Sequence, residues 1–187
     1  MKYLGVVVVV MFAVNGRALE IVPITEWAES ESQRKQELPN PVPLVVIQHT
    51  ASGECSTDST CLRGLKNMRA YVMKIGFDDV PYSFMIGGNG KVYEGAGWHR
   101  VGAHTRGYND KAIGIGFVGT FIDKLPTPEA LKAAKELIEY GLQNKHIAED
   151  YKLVGHRQLS STLSPGDALQ KEIESWPHWK QVLRTDH

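Results

Sequence analysis

The feature that most constrains the fold is the run Leu44-Val45-Val46-Ile47, four consecutive aliphatic residues that follow Pro43 and lead into Gln48-His49-Thr50-Ala51-Ser52-Gly53. An unbroken aliphatic run of strand length, without polar alternation, reads as a β-strand buried on both faces. Such a strand lies inside a sheet that helices must cover, which places the chain in the α/β class. Residues 112–118 read as a second buried strand, in which Gly114 and Gly116 let neighbours approach closely.

The rest of the chain supplies the covering helices. Leu62, Leu65, Met68, Val72 and Ile75 recur at three- and four-residue steps, the period of an amphipathic helix over 60–75. Met68, Tyr71 and Met73 are expected to be packing residues of that helix. Residues 82–86 form a strand joined through Gly87-Gly88-Asn89-Gly90 to a second at 91–93, a hairpin signal. Gly95-Ala96-Gly97-Trp98-His99-Arg100 follows as a glycine-rich rim loop. Thr127-Pro128-Glu129 opens a helix with a cap, a first-turn proline and a first-turn acid, and Leu131, Ala134, Leu137, Ile138 and Leu142 give it one apolar stripe. A short strand at 152–154 delivers Gly155-His156, and Ala168, Ile173 and Trp176 mark a last helix. Residues 29–40 are polar, lack an apolar period and precede Pro41 and Pro43, so they read as surface loop. The expected architecture is a single domain with a central mixed β-sheet flanked by helices, and 187 residues suit one core of that kind.

The first 18 residues read as a cleaved secretory leader. Lys2 gives a positive start, Val6 to Val14 form a nine-residue apolar core, and Gly16-Arg17-Ala18 supplies small residues around a cut after Ala18. That core is too short to span a bilayer, so the domain from 19 to 187 is expected to be secreted and extracellular, without membrane insertion. Lys plus Arg and Asp plus Glu both number 21, a balance that argues against electrostatic capture of nucleic acid. In an oxidising compartment the close pair Cys55 and Cys61 is expected to form a disulfide. Zinc ligation by that pair lacks a second ligand cluster at the usual spacing.

Chemistry gathers at two places. His49 falls at the carboxyl end of the first buried strand, where open α/β sheets place ligand sites. His156 opens the stretch that runs through Thr162 to Ser164-Pro165-Gly166. Two such histidines converging on a zinc ion need a third donor, and the third position is Ser164. Hydrolytic zinc takes imidazole, thiolate and carboxylate ligands, and a serine hydroxyl does not lose its proton on metal binding as a thiol does. A zinc site here is one ligand short.

The spans 45–50, 82–84 with the following glycine-rich turn, 92–98, Gly102-Ala103-His104, Gly114 to Gly119 and 155–166 resemble those of peptidoglycan recognition proteins, relatives of phage lysozyme-type amidases. They run in family order and, with the flanking segments, cover nearly all of the chain after its leader; the short secreted insect form is the nearest match. The resemblance implies that fold and a cleft for bacterial cell wall. In amidase members the positions of His49, His156 and Ser164 hold His, His and Cys as zinc ligands, and the position of Tyr82 holds a tyrosine that assists hydrolysis. Thr162 stands near a position where amidase relatives outside animals often carry a lysine. These five are therefore vestigial amidase positions, and neither a bound metal nor a cofactor is expected. The family also carries a bridge at the Cys55 and Cys61 positions.

What remains is a groove of hydrogen-bonding side chains. Thr50, Tyr82, His104, Asn109, His156, Thr162 and Ser164 suit the amides, N-acetyl groups and hydroxyls of a muropeptide, with Trp98 and Phe77 as apolar walls. In the family, the positions of His49, Tyr82, His104, Asn109 and His156 contact the sugar or stem peptide. Members that bind the diaminopimelate type tend to carry Gly-Trp where Gly76-Phe77 stands and an arginine at the Ala96 position for the extra carboxylate. With Ala96 here, and only Arg100 near enough in sequence to substitute, lysine-type peptidoglycan is expected.

Three functions compete. The first is a secreted pattern-recognition protein of innate immunity, directed at Gram-positive bacteria, that binds peptidoglycan and engages an extracellular immune-cascade protein. The second is a zinc-dependent N-acetylmuramoyl-L-alanine amidase that tolerates Ser164. The third is a serine-type peptidase acting on the stem peptide, with Ser164 as nucleophile and His156 as base, for which no third partner is evident.

Overall fold

The computed structural model describes residues 19–181, so the leader expected at 1–18 lies outside the described residues. The elements run β1 (Ile21–Val22), α1 (Ile24–Trp27), β2 (Val42–His49), α2 (Asp58–Lys74), β3 (Phe84–Ile86), β4 (Val92–Glu94), β5 (Ala112–Phe117), α3 (Pro128–Gln143), β6 (Ile147–Gly155), a 3-10 turn at His156–Gln158, and α4 (Asp167–Ile173). The strands form one mixed sheet in the order β1-β4-β3-β5-β2-β6. β3 and β4 are antiparallel, and the other four pairings are parallel.

The aliphatic run lies between two parallel neighbours, with Val45 opposite Ile113 on β5 and Leu153 on β6. β2 is longer than the run. Pro43 lies within it, exposed, beside a register irregularity between Val42 and Leu44. A residue without an N–H is tolerated where the ladder is already interrupted. β6 likewise starts at Ile147 rather than at 152, because its exposed middle residues Glu149 and Asp150 carry no apolar signal.

Alternation along the strands assigns the two faces. Val45, Ile47, Ile113, Ile115 and Phe117 point to the main core, which α3 closes with Ala130, Ala134, Leu137 and Ile138 and α4 with Leu169 and Ile173. As the sequence indicates, Thr127 caps α3, its Oγ1 accepting from the Ala130 N–H, and Pro128 begins the helix. On the opposite face α1 and α2 cover only one side, packing Ile24, Trp27, Cys61 and Leu65 over Met85 and Tyr93. The other side carries Leu44, Val46, Ala112 and Val154 and is overlain by the loop residues Tyr108 and Leu159. That half of the sheet, free of a covering helix, leaves room for a groove.

The expected disulfide joins Cys55 to Cys61 and ties the first turn of α2 to the preceding loop. Two expectations fail. Residues 29–40 are not all solvated: Leu38 belongs to the main core, and Ser32 and Arg34 are buried. Arg34 donates to the carbonyls of Asp79 and Val80, so hydrogen bonds rather than an apolar period hold the segment down. Tyr71 and Met73 are exposed instead of packed, as is Ile75. A helix of 17 residues is about 25 Å long, whereas the three-residue strands β3 and β4 run about 10 Å, so the last turns of α2 outrun the sheet beneath them.

Candidate functional site

Parallel pairing brings the two histidines to one rim. His49 is the last residue of β2, and His156 directly follows Gly155, which stands opposite Ile47 at the end of β6. Burial depresses the pKa of both imidazoles. For His49 a backbone hydrogen bond with Pro165 opposes burial while the Arg157 charge adds to it, and for His156 the His49 charge adds to it. Ser164 meets them: the His49 N–H donates to its Oγ at 3.1 Å. The Ser164 N–H in turn donates to Thr162 Oγ1 at 3.2 Å, and the Ser164 carbonyl accepts from the Arg157 N–H at 2.8 Å. Thr50 Oγ1 accepts from the Gly119 N–H at 3.0 Å. The Tyr82 hydroxyl reaches the His49 carbonyl over 3.4 Å, and burial pushes its pKa up to about 12. His49, Thr50, Tyr82, His156, Thr162 and Ser164 therefore share one strand-end cluster.

The two glycines of β5 make room for side chains on the open half of the sheet. A Cβ on Gly114 would lie 2.4 Å from His104 Cγ, and one on Gly116 about 3.0 Å from the Tyr82 ring. Sequence reasoning anticipated close approach at both positions, and the approaching groups are rings of two candidate site residues. His104 is deeper than a groove-lining residue: only 6% exposed, it packs flat against β5. Burial lowers its pKa to about 4, so it is neutral at physiological pH. Its Nε2 is buried without a partner among the described residues. Gln48 and Thr105 fasten it, and Thr105 also fastens Asn109, whose Oδ1 accepts the Thr105 N–H at 2.7 Å. Neither Gln48 nor Thr105 was expected from sequence, although a lone amide closing an aliphatic strand was a readable sign of a buried polar network.

Three expected positions stand apart. Trp98 is not an apolar wall of this groove. It packs on the α3 face against Phe84 at 4.5 Å, stacks on His146 at 4.8 Å, and lies over Gly141 near the start of β6. The indole finds a larger aromatic surface there than a rim would offer. Arg100 pairs through its backbone with Glu37, and among the described residues no hydrogen bond joins it to the cluster. Phe77 sits on the turn closing α2, 40% exposed, beside exposed Tyr71, Met73 and Ile75. Ala96 is buried, its N–H donating to the Tyr82 carbonyl.

The donors at the rim do not suit zinc. His49 and His156 supply imidazoles, but Ser164 supplies an alcohol already accepting the His49 N–H, and His49 Nδ1 accepts the Phe121 N–H at 3.3 Å. Among the described residues no group of three His, Cys, Asp or Glu side chains is placed to hold a metal ion. Nor is a serine nucleophile assembled, since no hydrogen bond among the described residues joins Ser164 Oγ to the His156 ring, as activation by a base requires. What the arrangement can do is present donors and acceptors from fixed positions to an amide- and hydroxyl-rich ligand.

Comparison with known proteins places this geometry in context. A family model described as N-acetylmuramoyl-L-alanine amidase matches residues 38–167. A peptidoglycan recognition protein of Trichoplusia ni is 44% identical over 180 residues, 96% of this chain and 98% of the relative. The solved structure of bumblebee PGRP-SA superposes with a TM-score of 0.86 at 43% identity, covering 88% of this chain and 99% of that one. PGRP-LE, solved in complex with tracheal cytotoxin, a monomeric diaminopimelic acid-type peptidoglycan, superposes with a TM-score of 0.84 at 38% identity over 87% of this chain and 96% of that one. No helix among the described residues is long and apolar enough to cross a membrane.

Proposed function

Since the chain belongs to the peptidoglycan recognition proteins, a family built on the N-acetylmuramoyl-L-alanine amidase domain, we propose that it is a secreted receptor that grips bacterial peptidoglycan without cutting it. The carrying observation is Ser164, an alcohol hydrogen-bonded to the His49 backbone where a zinc amidase needs a thiolate. His49, Thr50, Tyr82, Asn109, His156, Thr162 and Ser164 form the groove that holds the muropeptide, and His104 supports its floor. The bound cell wall is then reported to an extracellular immune-cascade protein. PGRP-LE shows a similar domain engaging a diaminopimelate-type fragment. This chain has Ala96, small and buried, where a carboxylate-binding arginine would stand, and Arg100 is anchored beside Glu37. Lysine-type peptidoglycan is the preferred ligand on that ground.

Cosedimentation of the secreted protein with lysine-type and diaminopimelate-type walls tests the preference. About tenfold tighter retention on lysine-type walls is expected, as for loss of one charge-assisted pair. Equal or reversed retention would contradict it. The zinc amidase reading has one observation on its side, the match to the amidase family model, and the donor set weighs against it.

A further inference from the structure

Every proton in the network beneath the groove can be placed, because two of its members leave no choice. A backbone N–H only donates, so the Asn109 atom 2.7 Å from the Thr105 nitrogen is the amide oxygen. A backbone carbonyl only accepts, so the Gln48 atom 3.1 Å from the His104 oxygen is the NH2 group. That same NH2 lies 2.8 Å from Thr105 Oγ1, which therefore accepts its second proton. Thr105 is itself buried, and among the described residues its hydroxyl proton has one acceptor in reach, His104 Nδ1 at 3.0 Å. His104 then carries its own proton on Nε2. This form leaves one buried group unpartnered, Nε2 itself, whereas the reverse tautomer would leave two, Nε2 and the Thr105 hydroxyl proton.

We propose that Gln48 and Thr105 are positioning residues that fix the polarity of this side of the groove. Gln48 and the Thr105 hydroxyl set the His104 tautomer, and the Thr105 backbone N–H holds the Asn109 amide oxygen inward, which leaves the Asn109 NH2 for a ligand, where it takes only hydrogen-bond acceptors. The matching ligand groups are carbonyls of the stem peptide, of N-acetyl groups or of the lactyl ether. A ligand N–H finds no acceptor in that NH2 group. The inference rests on the peptidoglycan-binding reading for its ligand but not for its proton arrangement.

The test therefore has two independent arms. In the first, nitrogen-15 NMR of the ligand-free protein reads the His104 tautomer. The Nε2–H form is expected in the native chain. Gln48→Glu replaces the donating NH2 with an acceptor-only carboxylate, draws the Thr105 hydroxyl proton away and is expected to switch His104 to the Nδ1–H form. A native Nδ1–H form, or a tautomer indifferent to Gln48→Glu, overturns the assignment whatever the protein binds. In the second, calorimetry measures a soluble muramyl peptide. Asn109→Asp keeps an oxygen for the Thr105 N–H but loses the NH2, and should weaken binding about tenfold or more, whereas Thr105→Ser should bind as the native chain does. Unchanged affinity in Asn109→Asp overturns the polarity. If the native protein fails to bind the muramyl peptide at all, the binding reading falls, and the tautomer arm still decides the positioning roles of Gln48 and Thr105.

Discussion

At the scale of single residues, two glycines set how closely the site can be assembled. Gly114→Ala would place a methyl 2.4 Å from the His104 ring, which Gln48 and Thr105 hold in place. Gly116→Ala meets the Tyr82 ring near 3.0 Å, and the long hydrogen bond from the Tyr82 hydroxyl allows that ring to yield. Overpacking a tight site costs about 1–3 kcal/mol. Gly114→Ala is expected in that range and Gly116→Ala below it, as read by urea denaturation; the opposite order would mean that Tyr82, not His104, is the rigid ring. These contacts explain what a sequence does and does not reveal. The Gly-x-Gly spacing in a buried strand announced that something approaches, and the histidines at the strand ends announced where chemistry gathers. The partners in those contacts are ten or more residues away along the chain, and no local pattern names them. For the same reason the sequence placed Trp98 in the groove, whereas its stacking partner His146 is 48 positions further along the chain.

At the scale of elements, a polar clamp joins three segments. Arg69 on α2 donates through Nε and Nη2 to both Asp79 oxygens, at 2.8 and 2.9 Å, and the Gln33 N–H donates to the same carboxylate at 3.0 Å. Arg34 closes the arrangement on the Asp79 and Val80 carbonyls, three and two residues before Tyr82. Periodicity could not foresee it, because Ser32, Arg34 and Asp79 are buried as polar groups and carry no apolar signal. The sheet and its helices were readable for the opposite reason: burial there is written in aliphatic residues at periods of one, two or 3.6. Arg69→Met leaves the Asp79 carboxylate buried without its ion partner, a loss of about 3–5 kcal/mol. Arg69→Met paired with Asp79→Asn should recover part of it. Thermal denaturation of the three variants measures both, and additive losses would show that the two groups are not coupled.

At the scale of the whole molecule, acid weakens the fold in two windows. Burial lowers the pKa of His49, His104, His146 and His156, so below about pH 6.5 the unfolded chain takes up protons that the folded chain refuses, and stability falls. For His104, whose pKa drops to about 4, the loss by that pH is about 3 kcal/mol. Asp79 acts lower down. Burial alone would raise its pKa, but hydrogen bonds from Arg69, Gln33 and Val80 outweigh that and hold it below the usual carboxylate range, so its contribution is full above about pH 4 and lost beneath it. Denaturation at pH 7, 5 and 4 should show the first decline, and His104→Gln, which cannot take up a proton there, should flatten it; an equally steep decline would remove His104 from the account. The proposed function is that the family fold with Ser164 at its rim holds cell wall and leaves it intact. The most direct test incubates the native protein with purified lysine-type peptidoglycan, with and without added zinc or chelator, and reads retention on the wall and stem-peptide release from the same sample. Retention indifferent to the chelator, with no stem peptide released, is the expected result; zinc-dependent release of stem peptide would contradict it.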